Sequence, residues 1–437
     1  MRKLLKYGIW AIILGILVYV VDFGIKYAYI GSSYDAKIVC SCTFVSGRDW
    51  ESIKSEDLYA VPFATIEIDK KEQAVTSNIY GFAKTKAIYR PGLGCTLVNE
   101  MEESEIRKQK LGEYKPMPTE MNIEKGVGID SVNLQKSIAE EFTETDPKNV
   151  KRTRAIVILQ NGKLIAEKYA SSITAATPLL GWSMTKSVTN AMIGLMVKDG
   201  KLDIKKPAPI PEWQNDDRKK ITIDHLLRMS SGLDFEENYA EPSDATQMLF
   251  RKKGAGAYAM QSKSKYAPDE MWYYSSGTTN ILQEIIRRKF NNIADYQSFP
   301  HKRLFQKIGM NSAVLEPDAS GTYVGSSFMY ATARDWAKFG QLYLQDGIWN
   351  GERILPEGWV KYSSTETPNS HGQYAAQFWL YPKENNLPSD LFQANGFEGQ
   401  FVTIIPSKKL VIVRLGCTPG EGYDHVKFVG NILKSIN

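Results

Sequence analysis

A chain of 437 residues, 43% hydrophobic and 24% charged, carries enough apolar material for one large core or two unequal ones, which excludes a disordered chain. Its 54 Lys and Arg exceed its 49 Asp and Glu by only 5 and form no extended basic block, which excludes a nucleic-acid footprint. Four cysteines, Cys40, Cys42, Cys95 and Cys417, are too few for a disulfide scaffold and lack the C-x-x-C spacing of a zinc ribbon.

Residues 8–21 are free of charge, and Arg2, Lys3 and Lys6 precede them. Residues 9–30 supply the roughly 20 apolar positions of a membrane span if Asp22 and Lys26, spaced i, i+4, pair near its far end. The only small-x-small stretch, Gly31-Ser32-Ser33, is a poor cleavage site, so residues 1–30 read as an uncleaved anchor, with a cleaved signal peptide as the alternative. The positive-inside bias then puts the rest of the chain in the periplasm or another extracytoplasmic space. In such an oxidising compartment Cys95 is free to bridge Cys40 or Cys42; four buried thiols is the competing reading.

From Tyr34 to about Thr119 the pattern is short strand-like runs broken by turn residues, and residues 101–125 read as a solvated connector. Residues 31–125 are thus expected to be a small extension, and residues 126–437 the main unit. That unit opens with a helical stretch at 132–142, followed by two apolar runs joined by Asn161-Gly162, a strong hairpin signal. Helical segments dominate to about residue 345, and two strands, 401–406 and 409–415, close the chain. The expected architecture is α+β: one antiparallel sheet built from both ends of the unit, flanked by helices, with an all-helical subdomain inserted.

Two S-x-x-K matches occur, Ser183…Lys186 and Ser262…Lys265. The second sits in a polar stretch without apolar period. The first opens a segment in which Val188, Ala191, Met192, Leu195 and Met196 recur at helical spacing until Asp199-Gly200, so Ser183 lies at a helix N-terminus with Lys186 on the same face. A serine hydroxyl needs a base to become a nucleophile, and a desolvated lysine serves as one when burial lowers its pKa. Other hydrolase designs are absent: Gly181-Trp-Ser-Met-Thr185 fails the G-x-S-x-G elbow, and His225, His301, His371 and His425 show no metal spacing. His225 reads as a structural helix residue.

With Gly181-Trp-Ser-Met-Thr-Lys186 stand Ile221-Thr-Ile-Asp-His-Leu-Leu-Arg-Met-Ser-Ser-Gly-Leu233, Trp272-Tyr-Tyr-Ser-Ser-Gly277 and Gly396-Phe-Glu-Gly-Gln400, in that order. Together they resemble the serine beta-lactamase-related family over roughly residues 130–437, in its class C-type branch of DD-peptidases, esterases and 6-aminohexanoate-dimer hydrolases. The resemblance implies a beta-lactamase/transpeptidase-like fold, Ser183 as acylated nucleophile, Lys186 as its base and Tyr274 as proton relay, with Tyr273 the neighbouring alternative. It implies an oxyanion hole from the backbone N–H groups of Ser183 and Gln400, and a substrate surface formed by Trp182, Ser276, Phe397, Glu398 and Gly399. It also makes Cys40 the partner of Cys95, because Cys40-Ser-Cys-Thr-Phe with Arg90-Pro-Gly-Leu-Gly-Cys95 is similar to an extension on bacterial members. No cofactor or metal is implied.

Two departures shape the expected activity. Phe397 stands where the family's third motif commonly carries a cation for a substrate carboxylate, and Ser276 where the second motif commonly carries Asn. The expectation is a membrane-anchored serine hydrolase acting on a small or peptide-like amide or ester, with weak or absent beta-lactam turnover. A non-turnover penicillin-binding or cell-wall sensor and a DD-carboxypeptidase are the alternatives. The loops 235–270 and 365–395 shape the pocket, and periodicity assigns them no conformation.

Overall fold

The computed structural model describes residues 2–112, 121–381, 386–420 and 422–436. Residues 113–120 of the expected connector and 382–385 of the second pocket loop lie outside the described residues. Strands β1 (Thr65–Asp69), β2 (Ala74–Ile79), β3 (Ala83–Arg90) and β4 (Gly94–Leu97) form an antiparallel sheet in sequence order. Strands β5 (Thr153–Gln160) and β6 (Lys163–Tyr169) belong to the central sheet; β7 (Leu179–Leu180), β8 (Val314–Leu315) and β9 (Met329–Ala331) make a three-stranded sheet, and β10 (Ile348–Trp349) with β11 (Glu352–Arg353) a small hairpin. Strands β12 (Trp379–Leu380), β13 (Phe392–Gly396), β14 (Gln400–Ile405) and β15 (Leu410–Gly416) complete the central sheet in the order β12-β13-β14-β15-β5-β6.

The two ends of the main unit therefore meet at the β15–β5 pair, where Ile412 faces Ile158. The β5–β6 turn is the Asn161-Gly162 hairpin, with φ of 52° and 77° that match a type I′ turn. β5, β14 and β15 are buried at every position, because helices cover both faces of the sheet. The helix Ala333–Leu344 lays Trp336, Phe339 and Tyr343 on one face; Ser131–Glu141 and His425–Leu433 cover the other with Leu134, Ile138, Phe428 and Ile432. The described helices between β6 and β12 include Thr185–Lys198 and Ser276–Arg287, which pack on each other and carry the site.

The N-terminal helix Arg2–Phe44 departs from the expected pattern. Strand-like runs were expected from Tyr34, yet helix continues through Ile38, Val39, Cys40 and Cys42, all buried. β-Branched residues and cysteine have low helix propensity, but packing against β2, β3 and β4 overrides it. From Leu5 to Ile25 the side chains are almost all exposed although mostly apolar; from Ala28 onward most are buried. This is one helix long and apolar enough to cross a membrane, and Lys26 pairs with Asp22 at 2.7 Å.

Buried polar links weld the extension to the main unit. Glu316 binds Lys37, Ser41 Oγ at 2.8 Å and the backbone N–H of Cys95 at 2.6 Å; Asp57 accepts from Arg48 at 2.6 Å and from Arg154 on β5 at 2.9 Å. Cys40 and Cys95 form a disulfide across 55 residues, while Cys42 and Cys417 are buried free thiols. Chain-entropy arithmetic for a loop of that length predicts that replacing both bridged cysteines with alanine costs about 4 kcal/mol. Urea unfolding of the full chain in detergent measures it; an unchanged midpoint would show that the Glu316 network alone holds the joint.

Candidate active site

Ser183 sits in a single 3-10 turn, Trp182–Met184, between β7 and the helix Thr185–Lys198. Trp182 adopts φ of +45°, unusual for an aromatic residue, and its carbonyl accepts from Thr185 Oγ1 at 2.7 Å. The turn swings Ser183 to the edge of β13, where only glycine fits: a Cβ on Gly396 would lie 2.2 Å from the Gly181 carbonyl oxygen and 3.2 Å from the Ser183 nitrogen. The β13 edge is thereby held against the backbone of the serine turn.

Lys186, one helical turn on, is buried. Its Nζ lies 3.0 Å from Ser183 Oγ, 2.9 Å from Ser276 Oγ and 3.0 Å from the Ser326 carbonyl oxygen, and 4.8 Å from the Tyr274 ring centre. Burial pulls its pKa down to about 8, while the Glu237 carboxylate pulls the other way. Protonated, Lys186 donates to all three oxygens; once neutral it would keep the bonds to Ser276 Oγ and Ser326 O and turn its lone pair to the Ser183 hydroxyl proton. Burial pushes the Tyr274 phenol above its usual range, and this outweighs the lowering influence of the neighbouring Ser183 hydroxyl. Tyr273 is half-exposed, and its hydroxyl accepts from the Glu237 backbone N–H at 3.2 Å, which places it outside this cluster.

Two residues that motif reading passed over complete the cluster. Glu237 accepts from Ser276 Oγ at 2.5 Å and from the Ser276 backbone N–H at 2.8 Å; Tyr239 brings its hydroxyl 2.7 Å from Glu237 and 2.8 Å from Ser276 Oγ. Both lie on the loop after Leu233, which has neither period nor motif, so proximity to Ser276 becomes visible only in the fold.

The expected substrate surface divides. Phe397 is half-exposed at the tip of the β13–β14 loop and meets Trp182 edge-on at 5.9 Å. Trp182 itself is buried, stacked on Tyr34 of the N-terminal helix at 6.3 Å. The Ser276 hydroxyl is occupied by Lys186, Glu237 and Tyr239 instead of standing free for a ligand. At Glu398 a φ of +63° turns the side chain inward, where its carboxylate accepts from Trp182 Nε1 at 2.9 Å and from Tyr59 of the extension at 2.7 Å. Burial pushes that carboxyl up from its usual range against these two hydrogen bonds. Gly399, at φ of +77°, offers its carbonyl to buried Arg414 at 2.6 Å. The Gln400 side chain exchanges hydrogen bonds with the Gly416 backbone, which fixes β14 beside the turn.

The other motif candidates lie elsewhere. Lys265 pairs with Asp234 on the surface, and His225 caps its own helix through Thr222 while its Nε2 reaches Asp269 at 3.2 Å.

Residues 143–426 match the profile of the Beta-lactamase family. The chain belongs to the beta-lactamase family. This beta-lactamase-family chain is 24% identical over 298 residues to the 6-aminohexanoate-dimer hydrolase of Paenarthrobacter ureafaciens, covering 62% of the chain and 74% of that enzyme. A Bacillus anthracis protein provisionally described as a 6-aminohexanoate-dimer hydrolase superposes with a TM-score of 0.56 at 25% identity, covering 65% of this chain and 78% of its own. The D-alanine carboxypeptidase AmpC of Burkholderia cenocepacia shares the fold, with a TM-score of 0.51 at 17% identity over 70% of this chain and all of its own. The beta-lactamase/transpeptidase-like fold and membership in a family of hydrolases follow. The matched stretch begins after the extension, although the extension supplies two of the groups that hold Trp182 and Glu398.

Proposed function

We propose that this protein is a membrane-anchored serine hydrolase that cleaves an amide or ester through an acyl-enzyme on Ser183. The observation that carries the reading is the desolvated Lys186 amine, 3.0 Å from Ser183 Oγ, with its pKa near 8. Ser183 Oγ attacks the substrate carbonyl carbon as its proton passes to Lys186 Nζ. The carbonyl oxygen takes up the negative charge against the backbone N–H groups of Ser183 and Gln400. When the tetrahedral intermediate collapses, the bond to the leaving amine or alcohol breaks and the proton returns to it through Tyr274. Water, deprotonated by the same base, then releases the acid and regenerates Ser183.

Phe397 at the loop tip offers an apolar edge where a carboxylate-binding cation would stand, which supports a linear amide or ester over a beta-lactam. Nitrocefin is accordingly expected to turn over slowly, and rapid hydrolysis would overturn this assignment of Phe397. The N-terminal helix anchors the hydrolase, and its basic N-terminal flank supports an extracytoplasmic catalytic unit. The test is labelling of the full chain with a fluorophosphonate and mapping of the modified serine by mass spectrometry. Modification of Ser183 that disappears in Ser183→Ala supports the reading; no labelling, or labelling of Ser262, sinks it.

A pH profile probes the electrostatics. Because the neutral lysine is the active form, acylation is expected to rise with pH through about 8 and then level off. Glu237→Gln removes the charge that favours protonated Lys186, so the rising limb is expected to move to lower pH. A limb that stays in place would mean Glu237 does not act on Lys186.

A further inference from the structure

We propose that the β2–β3 turn of the N-terminal extension and the segment just before β1 form a second membrane contact, seating the catalytic unit directly on the lipid headgroup layer beside its anchor. The inference rests on the reading of the N-terminal helix as a membrane span.

Counting about 20 residues from Tyr7 brings the helix to Tyr27, a rise of about 30 Å that matches the hydrocarbon core of a bilayer. The interface therefore falls near Ile25 to Ala28. At that level the extension presents an apolar hollow of about 420 Å³ between the helix and the loops around Phe63 and Tyr80. Phe63, Phe82 and Tyr27 are half-exposed, and Tyr80 is 76% exposed. Phe63 and Tyr80 stack at 5.6 Å, while Tyr29 from the helix donates to the Phe82 carbonyl at 3.2 Å, so the patch is continuous with the anchor.

Its chemistry fits a bilayer interface. Tyr80 and Gly81 form the tight β2–β3 turn at φ of 53° and 79°, a conformation that favours Asn-Gly. This chain instead places an aromatic ring there and leaves it in solvent. Rings with an apolar body and a polar tip belong where hydrocarbon meets headgroups, and exposed aromatic side chains flanking a span are the pattern of a membrane belt. The burial of such a patch in lipid removes an exposed apolar surface that a water-soluble unit rarely carries.

The experiment uses the full chain reconstituted in phosphatidylcholine vesicles, with one spin label at a time on Tyr80→Cys, Leu14→Cys or Val132→Cys. All three positions are exposed, and the two native free thiols are buried, so labelling is selective. Circular dichroism confirms that each variant folds. The expected result is that the labels at 14 and 80 collide with oxygen and lose collisions with a water-soluble nickel complex, while the label at 132 does the reverse. A label at 80 as open to nickel as that at 132, with 14 still in lipid, overturns the seating and leaves the anchor intact. Protection at 80 from both reagents means a protein partner covers the patch and overturns it as well. Nickel access at 14 overturns the anchor and the seating together.

Discussion

Lys186→Ala is expected to slow acylation of Ser183 by about 10²–10⁴-fold, the usual cost of losing a positioned general base. The effect is expected in the acylation rate and not in the fold. The side chain is buried, so alanine leaves a cavity and two partners, Ser276 Oγ and the Ser326 carbonyl, without their donor. Lys186→Met, which fills the space without supplying a base, separates the two effects. Both variants should lose the rise through about pH 8 along with the rate. Fluorophosphonate labelling rates across pH, with circular dichroism as the control, make the measurement. If Lys186→Met labels Ser183 at the unmodified rate, another group takes the proton and the proposed mechanism is wrong.

Gly396→Ala is expected to reduce activity by about 10²-fold or more without touching a reacting atom. A Cβ there would lie 2.2 Å from the Gly181 carbonyl oxygen, a backbone atom that cannot rotate away. Either β13 or the serine turn must shift. A displacement near 1 Å is enough to cost about 10²-fold when a nucleophile must meet its oxyanion donors. The loss should appear in kcat for p-nitrophenyl ester hydrolysis, with Lys186 still titrating near 8. Full activity in this variant would show that the apposition of β13 and Ser183 is not needed for turnover.

Ser183 and Lys186 were legible because a helix turns positions i and i+3 onto one face, so their spacing already states their proximity. The sheet was legible for a similar reason: uninterrupted apolar runs bounded by Asn161-Gly162 or Lys409 leave few other arrangements. Glu237 and Tyr239 were illegible, since a loop without period carries no record of which strand or helix it folds against. The helix from Tyr34 to Phe44 misled because its residues favour strands and are buried on several sides, which erases the amphipathic period. The placement of Glu398 was illegible for a third reason. Its neighbours in sequence belong to the site, but a left-handed backbone angle sends the carboxylate to Tyr59, 339 residues away.

That buried carboxylate has a practical consequence for anyone trimming the protein. A fragment starting at residue 143, where the family likeness begins, would strip Tyr59 from Glu398 and the Tyr34 ring from Trp182. It would leave a half-satisfied acid beside the serine turn and a bare indole within it, together with Glu316 and Arg154 stripped of their partners Lys37 and Asp57. Expression boundaries drawn on similarity therefore cut through the support of the Ser183 turn. A usable soluble version has to keep the helix from about Ala28 onward and give up only the greasy stalk before it.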